Sequence, residues 1–174
     1  MQLPTILDIE ASGFGRGSYP IEVGFVAGDG TLFCGLVRPE PDWLHWDEAA
    51  EALHGISREL LLKNGRPVRW MAEQINRRLQ GQTVYCDGWG LDYPWMARLY
   101  DAAGLQPSFR LDDLRRLLSE TEALRWRGVT PRARSLPAFT WGRPVAMSVN
   151  ITSIWPPSRS VTAGGLLRYG MARM

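Results

Sequence analysis

What this 174-residue chain lacks narrows its reading first. No run of roughly eighteen apolar residues occurs, and the opening MQLPT sets no basic stretch ahead of an apolar one, so neither a membrane span nor a secretory signal is expected. The expectation is a cytoplasmic protein. Cysteine is scarce: Cys34 and Cys86 stand far apart and match no metal or redox spacing, so each is expected to act as a small buried hydrophobe. Histidine is equally scarce. His45 and His54 form no zinc spacing with the cysteines, and a lone histidine is more often structural than catalytic. The most uneven absence is of negative charge. All 18 acidic residues fall at or before Glu122, whereas 8 of the 20 basic residues lie beyond it, so a formal charge of +2 hides a negative body and a positive tail.

What is present suffices for one sizeable core and hardly for two. Leu3 to Ile9 reads as a strand ending at an Ala11-Ser12-Gly13 turn. Pro20 to Ala27 alternates Ile21, Val23 and Phe25 with Glu22 and Gly24, and Gly28-Asp29-Gly30 signals a hairpin into a third strand, Thr31 to Val37. Asp47 opens a helical stretch through AAEALHGISRELLL, with a break near His54-Gly55. Val68, Met71, Ile75 and Leu79 recur at helical intervals. A short strand, Thr83 to Cys86, leads through the turn-rich DGWGLD into a helix over Trp95, Met96, Leu99 and Tyr100 that Gly104 ends. LDDLRRLLSETEALRW reads as one or two further helices, with Asp112 and Asp113 in a first turn where negative charge suits the dipole. Three strands followed by helices with strands interspersed predict an α/β fold, a mixed sheet flanked by helices.

Within the first strand sits DIEAS. Alternation puts Asp8 and Glu10 on one face and Leu7 and Ile9 on the other. Two adjacent anions repel, so either a divalent cation lies between them or the strand end is simply open to water. Asp92, in YCDGWGLDYPW, follows a strand at the start of a helix and reads as an N-cap or as a further ligand. Asp87 reads as a turn former or as a support to such a site.

Taken together these segments resemble the DEDD superfamily of 3'-5' exonucleases, in particular the proofreading-exonuclease and ribonuclease T branch with its ribonuclease H-like fold. DIEASGFGRGSYPIEVGFV is similar to that family's first motif, EALHGIS to a helix-loop that approaches the 3' end, and DGWGLDYPWMARLYDAAG to its second motif. The resemblance spans about residues 3 to 126 and implies a ribonuclease H-like domain over 1–129, followed by an atypical basic tail over 130–174. It implies that Asp8, Glu10 and Asp92 are catalytic metal ligands for two Mg²⁺ or Mn²⁺ ions, which activate a water and stabilise the leaving 3' oxygen. Ser12 and Gly13 would lie near the terminal nucleotide, and His54 to Ile56 near its base or sugar. The implied partner is a single-stranded 3' end, with bases able to stack on aromatics such as Phe14, Tyr19 or Trp89.

The third motif of that family supplies a fourth Asp and a His base, as His-x-Ala-x-x-Asp. Here the corresponding stretch reads Pro131-Arg132-Ala133-Arg134-Ser135-Leu136, with Pro in place of the His and Leu in place of the Asp. Beyond Thr130 the helical period disappears and Pro131, Pro137, Pro144, Pro156 and Pro157 interrupt, which suggests a tail translated out of frame relative to its relatives. If neither other frame of the gene encodes His-x-Ala-x-x-Asp there, that idea is wrong. The expectation is thus a metal-dependent 3'-5' exonuclease, or a catalytically impaired member of that family, against an inactive nucleic-acid-binding or assembly module on the same fold. DNA against RNA, a polymerase partner and a homodimer are left open by the residues.

Overall fold

In a computed structural model, residues 3–121 are described. Three strands come first, β1 (Thr5–Ala11), β2 (Pro20–Val26) and β3 (Leu32–Leu36). Helices α1 (Glu48–His54), α2 (Arg58–Asn64) and α3 (Val68–Leu79) follow, then β4 (Thr83–Cys86), α4 (Trp89–Ala103) and β5 (Arg110–Asp113). The sheet runs β3-β2-β1-β4-β5, with β1 antiparallel to β2 and parallel to β4, and β4 parallel to β5. This is the mixed sheet that the sequence pattern predicts, in a ribonuclease H-like α/β arrangement. No helix among the described residues is long and apolar enough to cross a membrane.

Alternation along β1 turns Leu7 and Ile9 into the core, where both are buried with Val23, Phe25 and Val84. Against that face pack α3, through Met71, Ala72, Ile75 and Leu79, and α4, through Trp95, Met96, Leu99 and Tyr100. The predicted break after His54 is real. Gly55 takes φ 70 and closes α1, its N–H bonding the Glu51 carbonyl, and Ser57 then caps α2 by accepting from the Leu60 N–H.

Two segments depart from the pattern reading. Arg110–Asp113, expected in a helix, is an edge strand with Thr83–Cys86 as its parallel partner, and Leu114–Leu117 is a single 3₁₀ turn. Pairing with β4 outweighs a leucine spacing that also suits a 3₁₀ turn. Asp112 therefore pairs with Arg110 and Arg116 at 3.4 and 3.2 Å instead of facing a helix dipole, while Asp113 caps the turn by accepting from the Arg115 N–H at 2.9 Å. Secondly, α4 begins at Trp89, so WGLD is helical, and Asp92 lies inside the first turn with Gly88 as the cap. Cys86 is buried as expected. Cys34 is only half-buried and donates to the Glu22 carboxylate at 2.9 Å. The expected tail from 130 onward lies outside the described residues.

Candidate active site

β1 presents Asp8 and Glu10 on the face opposite its core residues, and the antiparallel register sets Asp8 beside Gly24 and Glu10 beside Glu22. The parallel strand β4 ends next to it, and the chain turns through Asp87 and Gly88 into α4. Such a carboxyl end of parallel strands is where open α/β sheets bind ligands. Asp92 projects from the first turn of α4, only 2% exposed, and its Oδ2 is buried with no hydrogen-bond partner among the described residues. Gly88 leaves room for it: a Cβ there would stand 3.1 Å from that oxygen.

These acids lie in one another's field. Burial, then Asp8, pushes Glu10 up to about 7. Asp92 is also pushed up to about 7, by burial first and then by Asp8, with Asp87 and Glu10 adding to the rise. Asp8 is raised as well, by the protein packed around it and by Asp87. Asp8 is nevertheless exposed, so a ligand can reach it from solvent. Among the described residues the ion pairs are Arg69–Glu73, Arg110–Asp112, Arg115–Asp113 and Arg116–Asp112, so no arginine neutralises Asp8, Glu10 or Asp92.

Glu22 is the residue that pattern reading missed. It is 2% exposed, across from Glu10, and burial raises its carboxyl to about 7, with Glu10 and Asp8 adding to the effect. In sequence it reads only as an alternating polar position. Its partner is set by the register between β1 and β2, which an irregular eight-residue connection, Ser12 to Tyr19, does not disclose.

That connection is fixed in place. The Ser12 hydroxyl is fully buried, accepts from the Tyr19 N–H at 3.1 Å and shares a 3.2 Å hydrogen bond with His45 Nδ1. Gly13 has φ 151, and a Cβ on it would come within 2.6 Å of both His45 Cε1 and Asp47 Cβ, so only glycine fits. Arg98 of α4 donates to the Gly17 and Ser18 carbonyls at 2.9 and 3.0 Å, and Trp95 Nε1 donates to Ser18 Oγ at 2.8 Å. Tyr19 stacks on Trp43 at 5.0 Å and accepts from Arg58. Fully buried, Tyr19 offers no face to a base, which corrects its place among the stacking candidates; Phe14, at 57% exposure, and Trp89 keep theirs.

His54 and Ile56 are buried under the end of β1. His54 Nδ1 accepts from the Ile56 N–H at 3.0 Å, its Nε2 is buried with no hydrogen-bond partner among the described residues, and burial lowers its pKa. His45, instead, borders Ser12 and Gly13 directly.

The donor chemistry suits a hard divalent cation: oxygen ligands, a buried carboxylate oxygen with no partner among the described residues, and pKa values raised by burial and then by neighbouring acids. The side chains are not already drawn together, since no three acidic, histidine or cysteine groups among the described residues form a coordination set. A cation would have to complete that approach.

No protein-family model matches the chain, and no curated protein sequence does. Solved structures do. Exonuclease I from Methylocaldum szegediense superposes with a TM-score of 0.55 at 14% identity, over 73% of this chain and 30% of that one. E. coli exonuclease I in complex with a dA16 oligonucleotide gives 0.57 at 15%, over 75% and 31%. The zinc-ion-bound form of the E. coli exonuclease I complex with single-stranded DNA gives 0.56 at 16%, over 80% and 34%. The chain spans about a third of the length of these enzymes, and the likeness establishes a shared fold.

Proposed function

We propose that the chain is a metal-dependent 3'-5' exonuclease of the DEDD type, acting on the 3' end of single-stranded DNA or RNA. One observation carries the reading: Asp8 and Glu10 share one face of β1, both raise the pKa of Asp92 at the start of α4, and no arginine among the described residues pairs with them, in the fold of exonuclease I. Asp8, Glu10 and Asp92 would hold Mg²⁺ or Mn²⁺, and the bound ions supply the activated water and the stabilisation of the leaving 3' oxygen. The chain's own part is orientation. Asp8 is exposed, so a phosphate can reach it, while Glu10 and Asp92 approach from β1 and α4. Ser12 and Gly13, held by Tyr19, His45 and Asp47, form the edge against which a terminal nucleotide would rest, and His54 and Ile56 support that edge from below.

A second reading is favoured by the sequence beyond Glu122, which offers neither Asp, Glu nor His for the missing third motif. On that reading the fold binds single strands without turnover. Mn²⁺-dependent trimming of a labelled single-stranded oligonucleotide separates the two. Hydrolysis that is lost in Asp8→Ala supports the nuclease; EDTA-insensitive binding without cleavage supports the binding module.

A further inference from the structure

Most cations of the described residues are already committed to the fold. Four arginines pair with acids, Arg58, Arg78 and Arg98 donate to neighbouring acceptors, and Arg66 lies over the Trp70 ring at 5.4 Å. The side chains of Arg16, Arg38, Lys63 and Arg77 have no acid, acceptor or ring as partner among the described residues, and all four residues are exposed. Lys63 and Arg77 stand on α2 and α3, and Arg38 follows β3. Of the four, only Arg16 stands in the Ser12–Tyr19 connection.

That connection is tied at both ends to the elements that carry the acids. It leaves β1 with Ser12, two residues after Glu10, and near its far end Ser18 Oγ accepts from Trp95 Nε1 at 2.8 Å. Trp95 lies three residues beyond Asp92, on the same side of α4. The tip between is a closed turn: the Ser18 N–H and hydroxyl donate to the Gly15 carbonyl at 3.3 and 2.8 Å, with Gly15 and Gly17 at φ 93 and 94. The fold occupies the tip's carbonyls, that of Gly15 through Ser18 and those of Gly17 and Ser18 through Arg98. The N–H groups of Arg16 and Gly17 bond nothing among the described residues. What the tip turns to water is therefore a guanidinium and backbone donors, a combination that suits an anion. We propose that Arg16 binds a backbone phosphate of a single strand whose 3' end reaches Asp8, Glu10 and Asp92. This rests on the nuclease reading above and names the contact that holds the strand. The acids repel a polyanion, and a cation on a fixed turn beside them draws its phosphates in without reading sequence.

The test uses the full chain in EDTA, with two 5'-labelled thymidine strands of equal length, one with phosphodiester and one with uncharged methylphosphonate linkages, read by fluorescence anisotropy over a range of NaCl concentrations. In Arg16→Ala, the plot of log K against log salt for the phosphodiester strand should lose about 0.7 of its slope, the share of one phosphate contact on a single strand. The methylphosphonate strand should bind Arg16→Ala and wild type alike. Arg16→Lys, which keeps the charge, should keep the slope, and Arg77→Ala should change neither strand. An equal loss on both strands, as from altered folding or a base contact, overturns the proposal, and so does an equal fall in slope from Arg77→Ala. If the wild-type chain binds the phosphodiester strand with a slope that Arg16→Ala leaves unchanged, only the Arg16 contact falls. If it binds neither strand, in EDTA or with Mn²⁺ added, the nuclease reading falls with it.

Discussion

Two polar clusters flank the Ser12–Tyr19 connection, and they are built on opposite terms. On one side Arg58 donates to the Tyr19 hydroxyl and to the Trp43 carbonyl at 3.0 Å, while Arg98 donates to two backbone carbonyls and lies 5.2 Å from the Trp43 ring centre. Its charges are spread over neutral acceptors and aromatic faces. On the other side, burial raises the pKa values of Asp8, Glu10, Glu22 and Asp92, Asp8 raises the other three further, Glu10 adds to those of Glu22 and Asp92, and one buried oxygen has no donor among the described residues. The first cluster is complete as a scaffold. The second holds like charge that the fold alone does not neutralise, which is how sites that bind a ligand differ from sites that only hold a chain together.

The contrast can be broken by mutation, and the largest effect is expected at its centre. Asp8→Ala should bring Mn²⁺-dependent trimming to background without lowering the urea midpoint, because it removes repulsion as well as a ligand; a folded, fully active variant would sink the assignment. Arg58→Met should act the other way, leaving the Tyr19 hydroxyl and the Trp43 carbonyl short of a donor and costing about 2 kcal/mol in urea unfolding. An unchanged midpoint would show that the arginine cluster is not a scaffold.

Asp92→Asn should stabilise the metal-free chain by about 1 kcal/mol at pH 8, since it removes a buried charge from three neighbours, and should abolish any Mg²⁺-induced rise in melting temperature. A loss of stability at that pH would mean that the carboxylate is locally compensated. The smallest effect is on pH dependence. Glu22 is held at about 7 in the fold against 4.5 when unfolded, so the fold binds its proton more tightly. Its contribution is full below about 4.5 and is lost as pH rises through about 7. Glu22→Gln should therefore gain stability relative to wild type across that interval. His54, lowered by burial, titrates in the opposite sense but is common to both chains. Parallel stability curves for the two proteins would remove Glu22 from the repelling cluster.

Much of the scaffold is legible in one dimension because it follows local periodicity. β4 spans Thr83–Cys86 as its pattern predicts, β2 and β3 agree to within a residue at each end, and Gly55 ends α1 where the break is expected. β1 runs on to Ala11, two residues past the predicted end, because Glu10 and Ala11 still find partners on β2. β5 is not legible, since four residues of an edge strand carry no period that β4 does not supply. In the site, Asp8, Glu10 and Asp92 stand out as acids near strand ends. Glu22 does not, because only strand register puts it beside Glu10, and Tyr19 is misread as a stacking surface because its burial depends on Trp43 and Arg58.

The sequence by itself determines which face of β1 carries carboxylates, since alternation is a property of the backbone, and which stretch lacks acids, since that is composition. Tertiary structure alone decides that Asp92, more than eighty residues further on, shares a field with Asp8, and that Glu22 joins them. The physical reason is range: backbone geometry couples neighbours in the chain, whereas charge and packing couple neighbours in space.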